Sequence, residues 1–296
     1  MIFKNAHIYR LTKSLDITGE QLDDFLGERA FTPCSGIRPS SFGWIPPIAQ
    51  GDFVHEVSGC FLLCAKREDK VVPTSALADI LNDKIERLES MESRPIRAKE
   101  KQRFKEDALA ELLPRALPKS KQIFGYISTT DDLLVVDTAS SPEAEMFLNC
   151  LRATLGSLKV VPPQVKSKPT DSYTHWLRSG KLPDNFSLGD QCDLIDPEDS
   201  SAVSCRRQDL NTGEIRSHLD AGKICSKLSV IWHGDLKVSI DKDLVLRQIK
   251  VLSSDDSVEE DIDPIAQLDA AFVNMTLELS RFLPELFSAL GGETRG

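Results

Sequence analysis

Residues 94–105 read RPIRAKEKQRFK, a stretch in which one amphipathic segment ends and another begins. Six of these residues are basic, and Glu100 is the one acid among them. Because a residue before proline is pushed out of the helical region, the Arg94-Pro95 step predicts a break between two helices. The stretch therefore predicts the turn of a helical hairpin, with a concentrated positive charge at that turn.

The segments on both sides of this turn have the periodicity of helices. A helix is predicted from Ser75 onward, with an apolar stripe of Leu77, Ile80, Leu81, Ile85 and Leu88. A second helix is predicted over about 96–113, buried through Phe104, Ala108 and Leu112. Together they predict a helical tip at residues 75–118, inserted into a mixed α/β unit.

Three bases of the second helix form one stripe, because Arg97, Lys101 and Lys105 are four residues apart. The whole chain carries a net charge of −10, so this positive charge is local. Local positive charge attracts phosphates. A solvated helix face has the same pattern, so the stripe by itself leaves both interpretations open.

The chain outside the tip alternates strand and helix patterns. After the capping box of Thr18 and Gln21, the residues Leu22, Phe25 and Leu26 predict a short amphipathic helix. The other predicted helices are one from Ser141 to Gly156, one at 212–221 and a closing helix at 264–290. The predicted strands lie at 3–11, 59–65 (buried), 123–127, 133–137, 203–210, 223–232, 236–240 and 244–252. Residues 31–59 are rich in proline and glycine and are predicted to be irregular. The sequence VVPP at 160–163 resembles a linker, which predicts a boundary near Val165.

These elements predict an α+β fold. A mixed α/β central domain is expected from residues 1–74 and 119–165, with the helical tip at 75–118. Residues 166–296 are expected to form a second α+β domain, the base, which ends in a C-terminal helix. An acidic loop, SSDDSVEEDID at 253–263, precedes that helix.

Composition excludes several classes of protein. The chain is 41% hydrophobic and 28% charged over 296 residues, as in an ordinary folded protein. No apolar run approaches the roughly 20 residues of a membrane span, and the N-terminus does not have the pattern of a signal peptide. The seven cysteines have no framework spacing, so reduced thiols in a cytoplasmic protein without membrane contact are expected.

The motifs of catalysis and cofactor binding are weak or absent in this sequence. Cys60 and Cys64 with His55 lack a second pair that would complete a zinc site, so no metal and no cofactor are expected. The sequence has no phosphate-binding loop and no nucleophile elbow. Acidic pairs at 131–132 and 255–256 fall in expected turns, which leaves a metal-dependent nuclease as an alternative to a non-enzymatic protein.

A second group of bases lies in the C-terminal half. Lys223 and Lys227 are expected on one face of a strand, since side chains alternate every second residue, with Arg206 and Arg207 on the preceding strand. Such bases also protect a sheet edge from aggregation, and that interpretation stays open. Aromatic residues make up 6% of the chain and form no ladder for stacking bases, so contact through backbone phosphates is the consistent form of DNA binding.

The same segments carry a resemblance to a known family. The motifs occur in this order: FTPC at 31–34, GWIPP at 43–47, LLPRA at 112–116, RQDL at 207–210, AGK-x-x-x-KL at 221–228 and LFSALGGE at 286–293. Together they resemble, from end to end, the bacterial recombination-associated RdgC family. The resemblance implies a non-enzymatic, nucleoid-associated protein that binds DNA without sequence specificity as a ring-shaped homodimer around the duplex and restrains RecA-mediated recombination.

The resemblance also implies site residues. The DNA-contacting or ring-lining positions carried over from it are Arg94, Arg115, Arg207, Gln208 and Lys223. Lys227 joins them by strand alternation, Arg206 as the neighbour of Arg207, and Arg97, Lys101 and Lys105 from the charge stripe. The family can carry an aromatic residue directly after LLPRA at a contact between ring halves, and here that position is Leu117, so aliphatic packing is expected at the dimer contact. A factor that docks on RecA through its acidic C-terminal part is the third interpretation.

Overall fold

The computed structural model describes residues 3–253 and 263–294, and over these residues the chain forms a mixed α+β fold. The described residues contain seven α-helices and one sheet of twelve strands. The strands are β1 (Asn5–Leu11), β2 (Ser40–Ile45), β3 (Val54–Val57), β4 (Cys60–Val71), β5 (Leu117–Ser128), β6 (Leu133–Val136), β7 (Val160–Val161), β8 (Phe186–Ile195), β9 (Ala202–Arg206), β10 (Ile224–Trp232), β11 (Leu236–Asp241) and β12 (Leu246–Val251). The helices are α1 (Gly19–Gly27), α2 (Thr74–Glu92), α3 (Ala98–Leu112), α4 (Ser141–Leu155), α5 (Pro169–Ser179), α6 (Gly213–Asp220) and α7 (Pro264–Ala289).

The sheet has the strand order β2-β4-β5-β6-β1-β12-β11-β10-β8-β9, with β3 paired to β4 and β7 paired to β1. Its longest pairing joins β4 to β5, from Cys60 opposite Ser128 to Val71 opposite Leu117. Strand β6 pairs with β5 only at residues 125–128, so the rest of β5 extends beyond β6 toward the hairpin of α2 and α3. This long pair of strands positions the predicted tip.

The sheet continues across the predicted boundary near Val165. β1 joins the C-terminal strands by pairing with β12 at two positions, Asn5 opposite Arg247 and Ala6 opposite Leu246. On its other side β1 pairs with β6 at four positions. The division into central and base domains stays a prediction, but one continuous sheet runs through both.

Two hydrophobic clusters lie on opposite faces of the sheet. Strand β1 contributes to both, since its successive side chains point to opposite faces. One cluster contains Ala6 and Ile8 and spans both halves of the sheet under helices α5 and α7, through Tyr173, Leu177, Phe272, Leu279, Phe282 and Leu286. The other contains Tyr9 and Leu11 and lies under α1 and α4, through Leu22, Leu26, Ala144, Phe147 and Leu148. Helices therefore cover both faces of the N-terminal half.

Helix α1 begins with the capping box that the sequence predicts. The Gln21 backbone N–H donates to the Thr18 hydroxyl, and the Thr18 backbone N–H donates to the Gln21 side chain, both at 3.2 Å. Leu22 and Leu26 are fully buried, four residues apart, whereas Phe25 is 42% exposed. The amphipathic helix is therefore present, and Leu22 and Leu26, one turn apart, anchor it, whereas Phe25 lies at the exposed margin of its apolar face.

Two regions differ from the prediction. Residues 31–59 are not irregular, because they contain β2 and β3, which both pair with β4. Residues 166–201, left without elements in the prediction, form α5 and β8. The proline-rich start of α5 resembles a linker, but Pro169 occupies the first helical turn, where proline is tolerated. Most of the acidic loop, residues 254–262, lies outside the described residues.

Candidate nucleic-acid interface

Arg94 lies at the turn of the hairpin and is tied there by carboxylates. Helix α2 ends at Glu92, and Ser93 adopts a left-handed conformation. The Arg94 guanidinium donates to both Glu100 oxygens at 2.8 and 3.0 Å and lies 2.6 Å from Glu92. Hydrogen bonds from Arg94 and from the Arg97 backbone N–H lower the pKa of Glu100 to about 2. These contacts give Arg94 a role in closing the turn.

The bases of α3 are confined to its first half. Lys99, Lys101, Arg103 and Lys105 are all exposed there, whereas the acids Glu106, Asp107 and Glu111 follow in the second half. Cations near a helix N-terminus oppose the macrodipole, and like charges four residues apart repel. This arrangement is therefore unfavourable for the helix itself. Ala108 is buried as predicted, while Phe104 and Leu112 are half-buried.

The return from the tip carries the next predicted residues. Arg115 is the last residue of a short 3-10 helix, Leu113–Arg115, and is exposed. Leu117, two residues later, is 80% exposed and lies opposite Val71, which is 51% exposed. An exposed apolar pair is therefore present at the position expected for the dimer contact.

The two lysines of the C-terminal half are paired with aspartates. The Lys223 ammonium donates to the Ser201 hydroxyl at 2.6 Å and lies 3.8 Å from Asp196, and Lys227 forms an ion pair with Asp193. Within this pairing the positive charge of each lysine is largely compensated.

The alternation argument for these two lysines was wrong. The pairing of β10 with β8 shifts between Cys225 and Lys227, so that Ser226 is an extra residue in the strand. Cys225 and Leu228 are in consequence both fully buried on the same side. Lys223 itself lies just before the strand begins.

The arginines after β8 differ from the lysines, because both are exposed. Strand β9 ends at Arg206, earlier than predicted, and Arg207 has a left-handed backbone with φ of 56°. That conformation costs a non-glycine residue on the order of 1 kcal/mol. The Gln208 backbone N–H donates to the Asp190 carbonyl at 3.3 Å, which fixes the chain after the arginines.

The predicted bases thus fall into two groups. Arg94, Lys223 and Lys227 have carboxylates within 4 Å. Within residues 3–253 and 263–294, no side-chain ion pair of that length is formed by Arg97, Lys101, Lys105, Arg115, Arg206 or Arg207. The first four of these belong to the tip and its return, whereas Arg206 and Arg207 lie at the last strand of the sheet. The chain therefore has two separate basic sites.

Lys119, which was not among the predicted residues, extends the tip site. It is exposed on the part of β5 that lies beyond the predicted strand, and it forms no side-chain ion pair within the described part of the chain. The alternation of KSKQ with the apolar residues that follow was the available signal. Its neighbour Lys121 is instead tied to both oxygens of Glu143 at 2.7 Å.

The described residues also bear on metal, thiol and membrane chemistry. In the described part of the chain, no group of three His, Cys, Asp or Glu side chains is arranged to hold a metal ion. All seven cysteines are free thiols. Burial raises the pKa of the Cys64 thiol to about 12. Of the helices in residues 3–253 and 263–294, none combines the length and the apolar character that a bilayer crossing requires.

The fold and this surface define a class: an α+β protein built on one antiparallel sheet, with a projecting helical hairpin whose turn is basic. A family model described as "RdgC: Putative exonuclease, RdgC" matches residues 1–293. The chain is 38% identical over 299 residues to the recombination-associated protein RdgC of Aeromonas hydrophila and 39% identical over 299 residues to that of Tolumonas auensis, with 99% of each chain covered. The protein of the same name from Pseudomonas aeruginosa is 36% identical over 300 residues, covering 99% of this chain and 98% of that one. The chain belongs to the RdgC family of recombination-associated proteins.

Proposed function

We propose that this protein binds duplex DNA through its phosphates, without reading sequence, as a ring-shaped homodimer that restrains RecA-mediated recombination in the nucleoid. The observation that carries the proposal is the group of six predicted bases without a close carboxylate partner, on a chain whose net charge is −10. Unpaired cations release counterions from DNA on binding, whereas cations already paired with carboxylates contribute less.

The proposed ring rests on a separate observation. Leu117 and Val71 form an exposed apolar pair at the end of the long β4–β5 pairing. Covering this pair with a second copy would remove apolar surface from water, and two copies would bring four basic sites around one duplex. Light scattering of the Leu117→Asp variant tests the contact, since a buried charge at this point would favour the monomer. A variant that stays fully dimeric would contradict this position for the contact.

DNA binding is tested by a salt titration of gel-shift affinity. With about six phosphate contacts, log K is expected to fall with log salt at a slope near −5. Because each substitution is present in both copies of the dimer, the double variant Arg206→Ala/Arg207→Ala removes four cations and should flatten the slope by up to about four, equally for all sequences. Lys223→Ala is the matched control, because its charge is already compensated by Asp196. Equal effects of the two changes, or losses that depend on sequence, would contradict the proposed mode of binding.

Linear and closed circular DNA distinguish encirclement from surface binding. A closed ring threads onto linear ends but must open to bind a covalently closed circle. A ring that does not open would therefore bind linear DNA and fail to retain closed circles. Equal association rates on both substrates would support either an opening ring or a surface contact, and retention after linearisation with blocked ends separates those two.

The exonuclease of the family description is the second candidate. Incubating end-labelled linear DNA with the protein and Mg²⁺ measures it directly, and release of labelled nucleotides would replace the proposal of a non-enzymatic binder. The docking interpretation is tested with a variant that has lost DNA binding. If such a variant still inhibits RecA strand exchange, direct contact with RecA would account for the inhibition.

A further inference from the structure

The motif FTPC and the motif LLPRA lie about 80 residues apart in the sequence, yet both are held by strand β4. Two alternate residues of β4, Glu68 and Lys70, make these contacts. The Cys34 backbone N–H donates to Glu68 at 2.7 Å, and the Ser120 hydroxyl donates to the other oxygen of Glu68 at 3.3 Å. The hydrogen bond from the Cys34 N–H is the main reason that the pKa of Glu68 is lowered, since it favours the charged carboxylate.

Lys70 joins three segments of the chain. Its ammonium donates to the Gly36 carbonyl at 2.7 Å and to the Leu113 carbonyl at 2.8 Å. Its backbone N–H donates to the Pro39 carbonyl at 2.8 Å. The loop after FTPC and the 3-10 helix at the end of the tip are thereby fixed to the same strand.

The hydrogen bond from Lys70 to the Leu113 carbonyl lies where the hairpin returns to the sheet. The hairpin of α2 and α3 connects to the sheet through residues 72–73 on one side and through Leu113–Arg115 on the other. Helix α2 has no fully buried residue. The contacts between α2 and α3, such as the ion pair of Lys84 with Asp107 at 3.5 Å, hold the hairpin together but do not orient it on the sheet.

We propose that Lys70, supported by Glu68, is a positioning residue that fixes the direction of the tip and of Arg115 relative to the sheet. The inference deepens the proposed function and rests on it, because a fixed tip matters for DNA only if the tip bases contact phosphates. The Lys70 ammonium donates to the carbonyls of Gly36 and Leu113, so we expect it to act by positioning the tip rather than by contacting a phosphate.

Hydrogen exchange tests the contacts of Lys70 with Gly36 and Leu113 in the absence of DNA. Lys70→Met removes the ammonium and keeps the length of the side chain, and the amides of residues 113 and 115–117 should then exchange about tenfold faster. Lys70→Arg keeps the charge and the donors and should stay near wild type. Lys119→Met removes an exposed charge from the neighbouring strand and no ion pair of the described residues, so it should leave exchange unchanged. Unchanged exchange in Lys70→Met, with α7 protected as in wild type, would overturn the proposal.

DNA affinity separates positioning from direct contact. Lys70→Met should weaken binding several-fold with the salt slope unchanged, because no phosphate contact is lost. A slope flattened by about one to two units, since the change is present in both copies, would make Lys70 itself a phosphate contact and would refute the positioning role. If wild type does not bind DNA, the proposed function fails, while the exchange measurement still decides whether Lys70 fixes the tip.

Discussion

Replacing Lys101 by glutamate should stabilise the tip while weakening DNA binding. Lys101 lies in the first turns of α3, four residues after Arg97 and four before Lys105, and it is exposed without a close carboxylate among the described residues. The native residue therefore opposes the helix dipole and repels two neighbours. A glutamate reverses all three effects.

The magnitude follows from these three contacts. Each like-charge pair costs about 0.2–0.5 kcal/mol and each opposite pair returns a similar amount, so the two pairs change by about 1 kcal/mol together. Moving from a cation to an anion near the N-terminus adds about 0.3–1 kcal/mol. The hairpin should gain about 1–2 kcal/mol at low salt, and this gain should shrink in high salt because exposed charges are screened.

Hydrogen exchange of α3 measures the gain, since exchange from local opening should slow by about five- to thirtyfold. Lys101→Gln is the matched control and should give about half of the effect. The same charge reversal should weaken DNA binding and flatten the salt slope by at least one unit. Unchanged exchange would show that Lys101 is not repelled by Arg97, Lys105 and the helix dipole. Unchanged affinity would show that Lys101 does not contact DNA.

Three further predictions concern the fold. The Arg10 guanidinium on β1 donates to both carboxylate oxygens of Glu293, at 2.6 and 2.8 Å, and so ties the C-terminal segment to the sheet. Glu293→Gln should therefore lower the free energy of unfolding in urea by about 1–3 kcal/mol, and an unchanged midpoint would contradict this. Gly125→Ala would place a methyl group 2.6 Å from the Phe147 ring, so a loss of about 1–3 kcal/mol is expected in the same assay, and a variant as stable as wild type would mean that the ring moves aside freely. The carboxylate of Glu100 has its pKa lowered from 4.5 to about 2 mainly by Arg94, so its support of the hairpin is complete above pH 4.5 and is lost as the pH falls toward 2; Glu100→Gln should remove this pH dependence of α3 exchange.

Local patterns in the sequence predicted much of the secondary structure. The capping box of Thr18 and Gln21, the proline after Arg94 and the glycine after α4 each fix a helix end through contacts within a few residues. Because these signals act between residues close in sequence, they do not depend on the rest of the fold. The position of the hairpin followed from them.

The remaining features depend on residues that are distant in sequence. The strand status of residues 40–45 is decided by pairing with β4, and the bulge at Ser226 is decided by the register with β8. The ion pair of Lys227 with Asp193 joins two strands that no local pattern aligns. For this reason the sequence indicated which bases were present but not which of them were already compensated.

The junction between β1 and β12 has a mechanical consequence. Two paired positions join β1 to β12, whereas the other strand pairs along the main path of the sheet each have between four and twelve paired positions. Few backbone hydrogen bonds resist bending at this junction, and the hydrophobic cluster under α5 and α7, which spans both halves of the sheet, supplies the rest of the resistance. The spacing between the tip and the arginines at the far edge therefore depends on side-chain packing across this junction as well as on the backbone around Asn5 and Ala6.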